Sequence, residues 1–255
     1  MRLECTRRRI EAIVNRLVED WQLNEQSKDP ARAADAALIV DRTLEHYNQR
    51  AADFRDATRD HDVSQNIAAL LRHILTAPPY RILDFGCGPG RDLRSFTALG
   101  HRAIGLEGAA EFVTMARAES GCEVWQQDFV RLDLPDAYFD GVYANASLFH
   151  VPGSELARVL GQLRATLKPG GVLFSSNPRG DNTEGWNRGR YGAYHDWDAW
   201  RGYLTAAGFV ALEHYYRPTG LPFEQQPWLA SVWRRPAPAP APAKSDSASA
   251  GAQIT

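Results

Sequence analysis

Asp84-Phe85-Gly86-Cys87-Gly88-Pro89-Gly90 is the stretch that most restricts how this 255-residue chain folds. It follows a short apolar run, 81–85, and precedes a segment of helical spacing, 92–99. A strand that passes through three glycines into a helix brings bare backbone close to whatever lies beyond the strand end. Glycine adds no side chain there and tolerates left-handed dihedrals. Alone, such a turn serves either ligand binding or tight packing. Cys87 within it is either a reactive thiol or a small residue filling the turn.

Strand and helix patterns alternate after that turn. Apolar runs at 81–85, 103–106, 123–126, 139–144 and 172–176 read as strands, with helical spacing at 92–99, 111–119 and 156–167. Leu156, Val159, Leu160, Leu163 and Leu167 form one apolar stripe. A helix over 197–207 is closed by Gly208. The strands 209–216 and 228–233 have no helix between them and predict an antiparallel pair at a sheet edge. The expected architecture is α/β: a Rossmann-like, mostly parallel seven-stranded sheet with helices on both faces and an antiparallel C-terminal edge pair.

Three domains of sequence are expected. Residues 1–45 read as a helical extension, with Ile10, Ile13, Val14, Leu17 and Val18 at helical spacing. Residues 46–235 hold the α/β domain. Residues 236–255, PAPAPAPAKSDSASAGAQIT, alternate Pro with Ala and then bury nothing, so a disordered tail is expected.

Two acids are placed as ligand groups beside the glycine turn. Glu107 ends the second strand, 17 residues after Gly90, where a carboxylate accepts both hydroxyls of a ribose or serves as a solvated turn acid. Asp128 follows the third strand in Gln127-Asp128-Phe129, where it accepts from an adenine amino group or caps a turn. The order DFGCGPG, Glu107, QDF, FDGVYANASLFHV and LKPGG resembles the class I S-adenosylmethionine-dependent methyltransferase family over roughly residues 45–235. The resemblance implies that the loop with Asp84, Gly86, Gly88 and Gly90 holds the amino-acid end of S-adenosylmethionine. It implies that Glu107 takes the ribose, Asp128 and Phe129 frame the adenine, and Asn145 lines the sulfonium end. His150 would face the reaction centre, either as a general base or as a histidine hydrogen-bonded near the cofactor. Tyr47 and Arg59, before the first strand, are the expected lid residues. A nicotinamide dehydrogenase is the rival, but its G-x-G-x-x-G spacing differs from the G-x-G-x-G of Gly86, Gly88 and Gly90.

Acceptor binding is expected in the loops beyond the strand ends. Asn177–Asp196 reads as one long polar loop carrying Arg179, Trp186, Asn187, Arg190, Tyr191, Tyr194 and His195. Arginines among aromatics suit a polar or anionic molecule with a flat portion, and a solvated flap is the bland alternative. Gln225, Gln226 and Trp228 close over the acceptor or shape a hairpin.

The expected activity is methyl transfer to nitrogen, oxygen or sulfur of a small polar metabolite, with S-adenosylhomocysteine as product. A non-catalytic cofactor-binding regulator and a protein side-chain methyltransferase remain alternatives. A net charge of −2 gives no electrostatic reason to expect nucleic acid or an anionic membrane as partner. No apolar run reaches the ~20 residues that span a bilayer, and no secretory h-region follows Met1. Cys5, Cys87 and Cys122 are scattered, which fits a cytoplasmic protein, monomeric or homodimeric. His61, His150, His195 and His214 form no close ligand pair, so no metal is expected.

Overall fold

Strand β1, Arg81–Phe85, is buried over its last four residues, as a central parallel strand must be. In the computed structural model residues 30–237 are described, with side chains from residue 35. The helical pattern of residues 10–18 and most of the Pro/Ala tail lie outside the described residues.

Three helices precede β1: α1, Pro30–Gln49; α2, Ala51–Thr58; and α3, Ser64–Leu71. After it come α4 (Arg91–Ala98), β2 (Arg102–Glu107), α5 (Ala110–Ser120), β3 (Glu123–Gln126) and β4 (Phe139–Asn145). A 3₁₀ turn, Leu148–His150, leads to α6 (Gly153–Thr166) and β5 (Leu167–Pro178). A hairpin of β6 (Thr183–Asn187) and β7 (Arg190–Tyr194) follows, then α7 (Trp197–Ala206), β8 (Val210–Arg217) and β9 (Trp228–Arg234).

The main sheet has seven strands in the order β3-β2-β1-β4-β5-β9-β8. β9 is antiparallel to both β5 and β8, and the other neighbours pair in parallel. The chain winds outward from β1 to β3, then returns to place β4 against the other side of β1. The β1/β4 boundary is therefore the switch point at which ligands of open α/β sheets bind. One face packs on the α6 stripe of Leu156, Val159, Leu160 and Leu163 together with Trp200 and Leu204 of α7. The other packs on Leu70, Leu93, Phe96 and Val113 from α3, α4 and α5.

Two expectations differ in position. A boundary after residue 45 falls inside α1, which continues to Gln49 and packs on the domain through the buried Thr43. The stretch Asn177–Asp196 is not an irregular loop. β5 runs on to Pro178, and β6 and β7 pair from Thr183↔Tyr194 to Asn187↔Arg190 around the two-residue turn Arg188–Gly189. Both turn residues have positive φ (+50° and +86°), the type I′ condition that matches strand twist.

Gly90 has φ +94°, and a Cβ built there lies 2.8 Å from the Ala116 Cα on α5. Gly100 has a similar φ, +82°, with nothing within 4 Å. Gly100→Ala should thus cost only the left-handed penalty, about 1–2 kcal/mol. Gly90→Ala should add an overpacking cost of about 1–3 kcal/mol. Urea unfolding of both variants measures the difference, and equal losses would show that α5 gives way without cost.

Candidate active site

The ends of β1, β2, β3 and β4 open into a cavity of about 760 Å³, within the roughly 300–1,000 Å³ of small-molecule sites. Its floor is the glycine turn. Gly86 has φ +80°, and a Cβ on it would meet the Ser147 Cβ at 2.5 Å, so the loops after β1 and β4 touch only because glycine stands there. A Cβ on Gly88, φ +51°, would meet nothing within 4 Å, so its backbone faces the cavity with no side chain.

Glu107 ties the loops after β1 and β2 together. Its Oε2 accepts from Gly88 N at 2.9 Å, and Oε1 accepts from Gly108 N at 2.8 Å and Ala109 N at 2.9 Å. Burial raises its pKa, and the three N–H donors pull it down. Three of about four lone-pair sites are used, so one stays open to a hydroxyl. Asp128 caps its own turn, accepting from Val130 N and Arg131 N at 2.9 and 2.8 Å, with Arg131 Nε at 2.6 Å. Phe129 stacks on Phe85 with centroids 4.4 Å apart.

Beyond β1 lies a polar chain. Tyr215 Oη donates to Asn66 Oδ1 (3.0 Å), Asn66 Nδ2 to Asn145 Oδ1 (3.0 Å), and Asn145 Nδ2 to Asp92 Oδ2 (3.3 Å). Arg91 grips both oxygens of Asp92, at 2.7 and 3.0 Å. Asp84 is buried beneath, and its Oδ2 has no partner among the described residues. Burial, and then the neighbouring Asp92, hold its pKa well above the ordinary carboxylate value.

His150 stands on the opposite wall with both nitrogens engaged. Nδ1 lies 2.5 Å from the Tyr191 carbonyl oxygen, and Nε2 lies 2.7 Å from Tyr47 Oη. A carbonyl only accepts, so Nδ1 carries the proton, Nε2 is bare, and the Tyr47 hydroxyl donates to it. Burial lowers the His150 pKa to about 4, although the Tyr191 carbonyl opposes that shift. Burial pushes Tyr47 up to about 12, against the nearby Arg190. Both groups are neutral near pH 7, and Arg190 Nη1 donates to the same tyrosine oxygen at 3.4 Å.

Residues 83–175 match the model of the family described as Methyltransferase domain. The match takes in the strands and the glycine turn that form the floor of the cavity. The chain is 35% identical over 144 residues to 24-methylenesterol C-methyltransferase 2 of Oryza sativa subsp. japonica, a match covering 51% of this chain and 38% of that one. It is 35% identical over 104 residues to trans-aconitate 2-methyltransferase of Azoarcus sp. strain BH72, covering 38% and 39%. The chain spans about a third of the length of the first curated relatives it matches. Its fold is that of 1,6-didemethyltoxoflavin-N1-methyltransferase from Burkholderia thailandensis, solved with 1,6-didemethyltoxoflavin and S-adenosylhomocysteine. That likeness has a TM-score of 0.65 at 23% identity and covers 80% of this chain and 90% of the other.

Of the methyltransferase residues expected from sequence, Tyr47, Arg59, Gly86, Gly88, Glu107, Asp128, Phe129, Asn145 and His150 line the cavity. Asp84 and Gly90 support its floor from below. Among the expected acceptor residues, Arg190 and Trp228 line it. The others have different neighbours. Arg179 lies over the Phe223 ring at 3.6 Å and donates to the Phe223 carbonyl. Asn187 reaches Tyr194 Oη at 3.3 Å, and Gln226 donates to the Pro218 carbonyl. His195 packs against Trp200 and Tyr203. Tyr191 contributes its backbone carbonyl to His150 rather than its ring. Sequence reasoning passed over Arg91, Asp92, Ser147, Phe54, Phe112 and Phe149, all cavity residues. Arg91 and Asp92 follow Gly90 directly, and that position was the available signal. Among the described residues no group of three or more His, Cys, Asp or Glu is placed to hold a metal ion.

The His150 shift fixes a pH window. Its folded pKa of about 4 lies below the ordinary 6.5. As pH falls from 6.5 toward 4 the unfolded chain takes up a proton that the folded chain refuses, so stability falls across that window. The loss from this group is on the order of 3 kcal/mol. His150→Gln should flatten the dependence between those pH values, as read by urea unfolding at stepped pH. An unchanged slope would assign it to other groups.

Proposed function

We propose that the chain binds S-adenosylmethionine across the floor of this cavity and transfers its methyl group to a nitrogen, oxygen or sulfur atom of a small polar metabolite. S-adenosylhomocysteine is the other product. The observation that carries this reading is that one cavity joins the bare Gly88 backbone and the open site on Glu107 to the neutral Tyr47–His150 pair.

The residues present fit such a cofactor. The Arg91–Asp92 pair sets both charges at the glycine turn, and Ser147 Oγ stands beside it without a partner among the described residues. Glu107 would take a ribose hydroxyl, and Asp128 with Phe129 would frame the base. When bound, the cofactor supplies an activated methyl and its own leaving group. What remains for the chain is to align the acceptor, exclude water and accept a proton.

Tyr47 donates to His150, so the lone pairs of its oxygen are what it offers an acceptor N–H or O–H. Methylation makes that acceptor strongly acidic, and a weak base then suffices to take the proton. A His150 pKa of about 4 suits that timing better than abstraction before attack. The names of the sterol C-methyltransferase relatives favour a second reading, a carbon acceptor. Those matches cover 51% and 36% of the chain.

Calorimetric titration with S-adenosylmethionine, with NAD as comparator, tests the cofactor. Binding of the first alone supports the proposal, and no binding removes it. With a small-molecule extract as acceptor, Tyr47→Phe should lower kcat about 10²-fold while KM changes little. Full turnover in that variant would take the tyrosine out of the reaction.

A further inference from the structure

Arg190 opens β7 immediately after the Arg188–Gly189 turn. Its position is fixed on both sides. A Cβ on Gly189 would lie 2.5 Å from His46 Nδ1, so the turn presses on α1. The next residue, Tyr191, donates its N–H to Thr43 Oγ1 at 3.2 Å and offers its carbonyl to His150. The side chain between these anchors lines the cavity.

Its guanidinium nevertheless has no carboxylate partner among the described residues. One long hydrogen bond runs to Tyr47 Oη, and the group stands 5.8 Å from the Tyr47 ring centre. Among the described residues it makes no ion pair. Of the other cavity arginines, Arg91 pairs with Asp92 at 2.7 Å, Arg55 with Asp56 at 3.0 Å and Arg59 with Asp60 at 3.4 Å, while Arg217 donates to the Asp62 carbonyl at 3.1 Å. Glu107, whose charge reaches Tyr47, is occupied by three backbone N–H groups. A guanidinium has five donors in a fork matched to a carboxylate, and most of these are unused. Phe149, its ring centre 3.9 Å from that of His150, and Trp228 supply flat apolar walls in the same cavity.

We infer that Arg190 is the anion site for the acceptor, a small molecule whose carboxylate pairs with this guanidinium while an apolar or aromatic body lies against Phe149 and Trp228. The inference deepens the methyltransferase reading above and rests on it. An acceptor with a positive charge at that end would be repelled by Arg190. A neutral one would leave the guanidinium unpaired once water is displaced.

The test is calorimetric titration of the full chain, saturated with S-adenosylhomocysteine, using benzoate and its uncharged amide, benzamide. Benzoate should bind the wild-type chain, and benzamide should bind at least about tenfold more weakly. Arg190→Gln should weaken benzoate about ten- to a hundredfold, the range for a hydrogen bond to a charged group. Arg190→Lys should recover much of that loss, and Arg201→Gln, an exposed surface change of the same charge, should have no effect. Undiminished S-adenosylhomocysteine binding in Arg190→Gln reports an intact fold. No benzoate binding to the wild-type chain, equal binding of benzamide, or full benzoate affinity in Arg190→Gln would overturn the anion site and leave the methyltransferase reading standing. A wild-type chain that fails to bind S-adenosylhomocysteine would remove both.

Discussion

Both oxygens of Glu107 are held by backbone N–H groups from two different loops, Gly88 after β1 and Gly108 with Ala109 after β2. A buried carboxylate without partners would be severely penalised, and here three donors make it the stitch between adjacent strand ends. The glycine turn takes its shape around that stitch. Gly86 then lets the Ser147 loop come down on the same spot, which closes the floor from the β4 side. The glycine turn and the Ser147 loop thus owe their meeting to a carboxylate in one place and to the side chain missing at Gly86.

This part of the molecule was legible in the sequence because its determinants are local. A strand, three glycines and an acid at the end of the next strand lie within residues 81–107. The sheet was legible for a similar reason, since each strand is followed by its own punctuation. The hairpin of β6 and β7 was not. Its turn is Arg-Gly rather than Asn-Gly or Asp-Gly, and glycines interrupt both strands, so neither the turn signal nor the alternation stands out. The contacts of α1 were not legible, because it packs on residues more than a hundred positions away and no local pattern records such a contact.

His150 shows a further limit of reading one residue at a time. The sequence offers a histidine near the reaction centre, base or structural. The fold makes the two roles inseparable. The nitrogen that faces Tyr47 is bare because the other is committed to the Tyr191 carbonyl, and burial keeps the ring uncharged. Its tautomer is set by a backbone oxygen on a hairpin that the sequence did not reveal. The acceptor residues proposed from that same stretch were chosen by composition. Composition places an arginine in the neighbourhood of a site without saying which of several will face it. Arg190 faces the cavity and Arg179 lies against Phe223.

The roof over the cavity is joined across long spans of chain. Tyr47 meets His150 across 103 residues, Arg190 meets Tyr47 across 143, and Tyr191 meets Thr43 across 148. No main-sheet strand runs through these contacts. Closing such loops costs entropy before any contact forms, and that cost is smaller once the sheet holds the two halves of the chain near each other. A molecule bound in the cavity is thus walled by two distant parts of the chain that meet at the histidine itself.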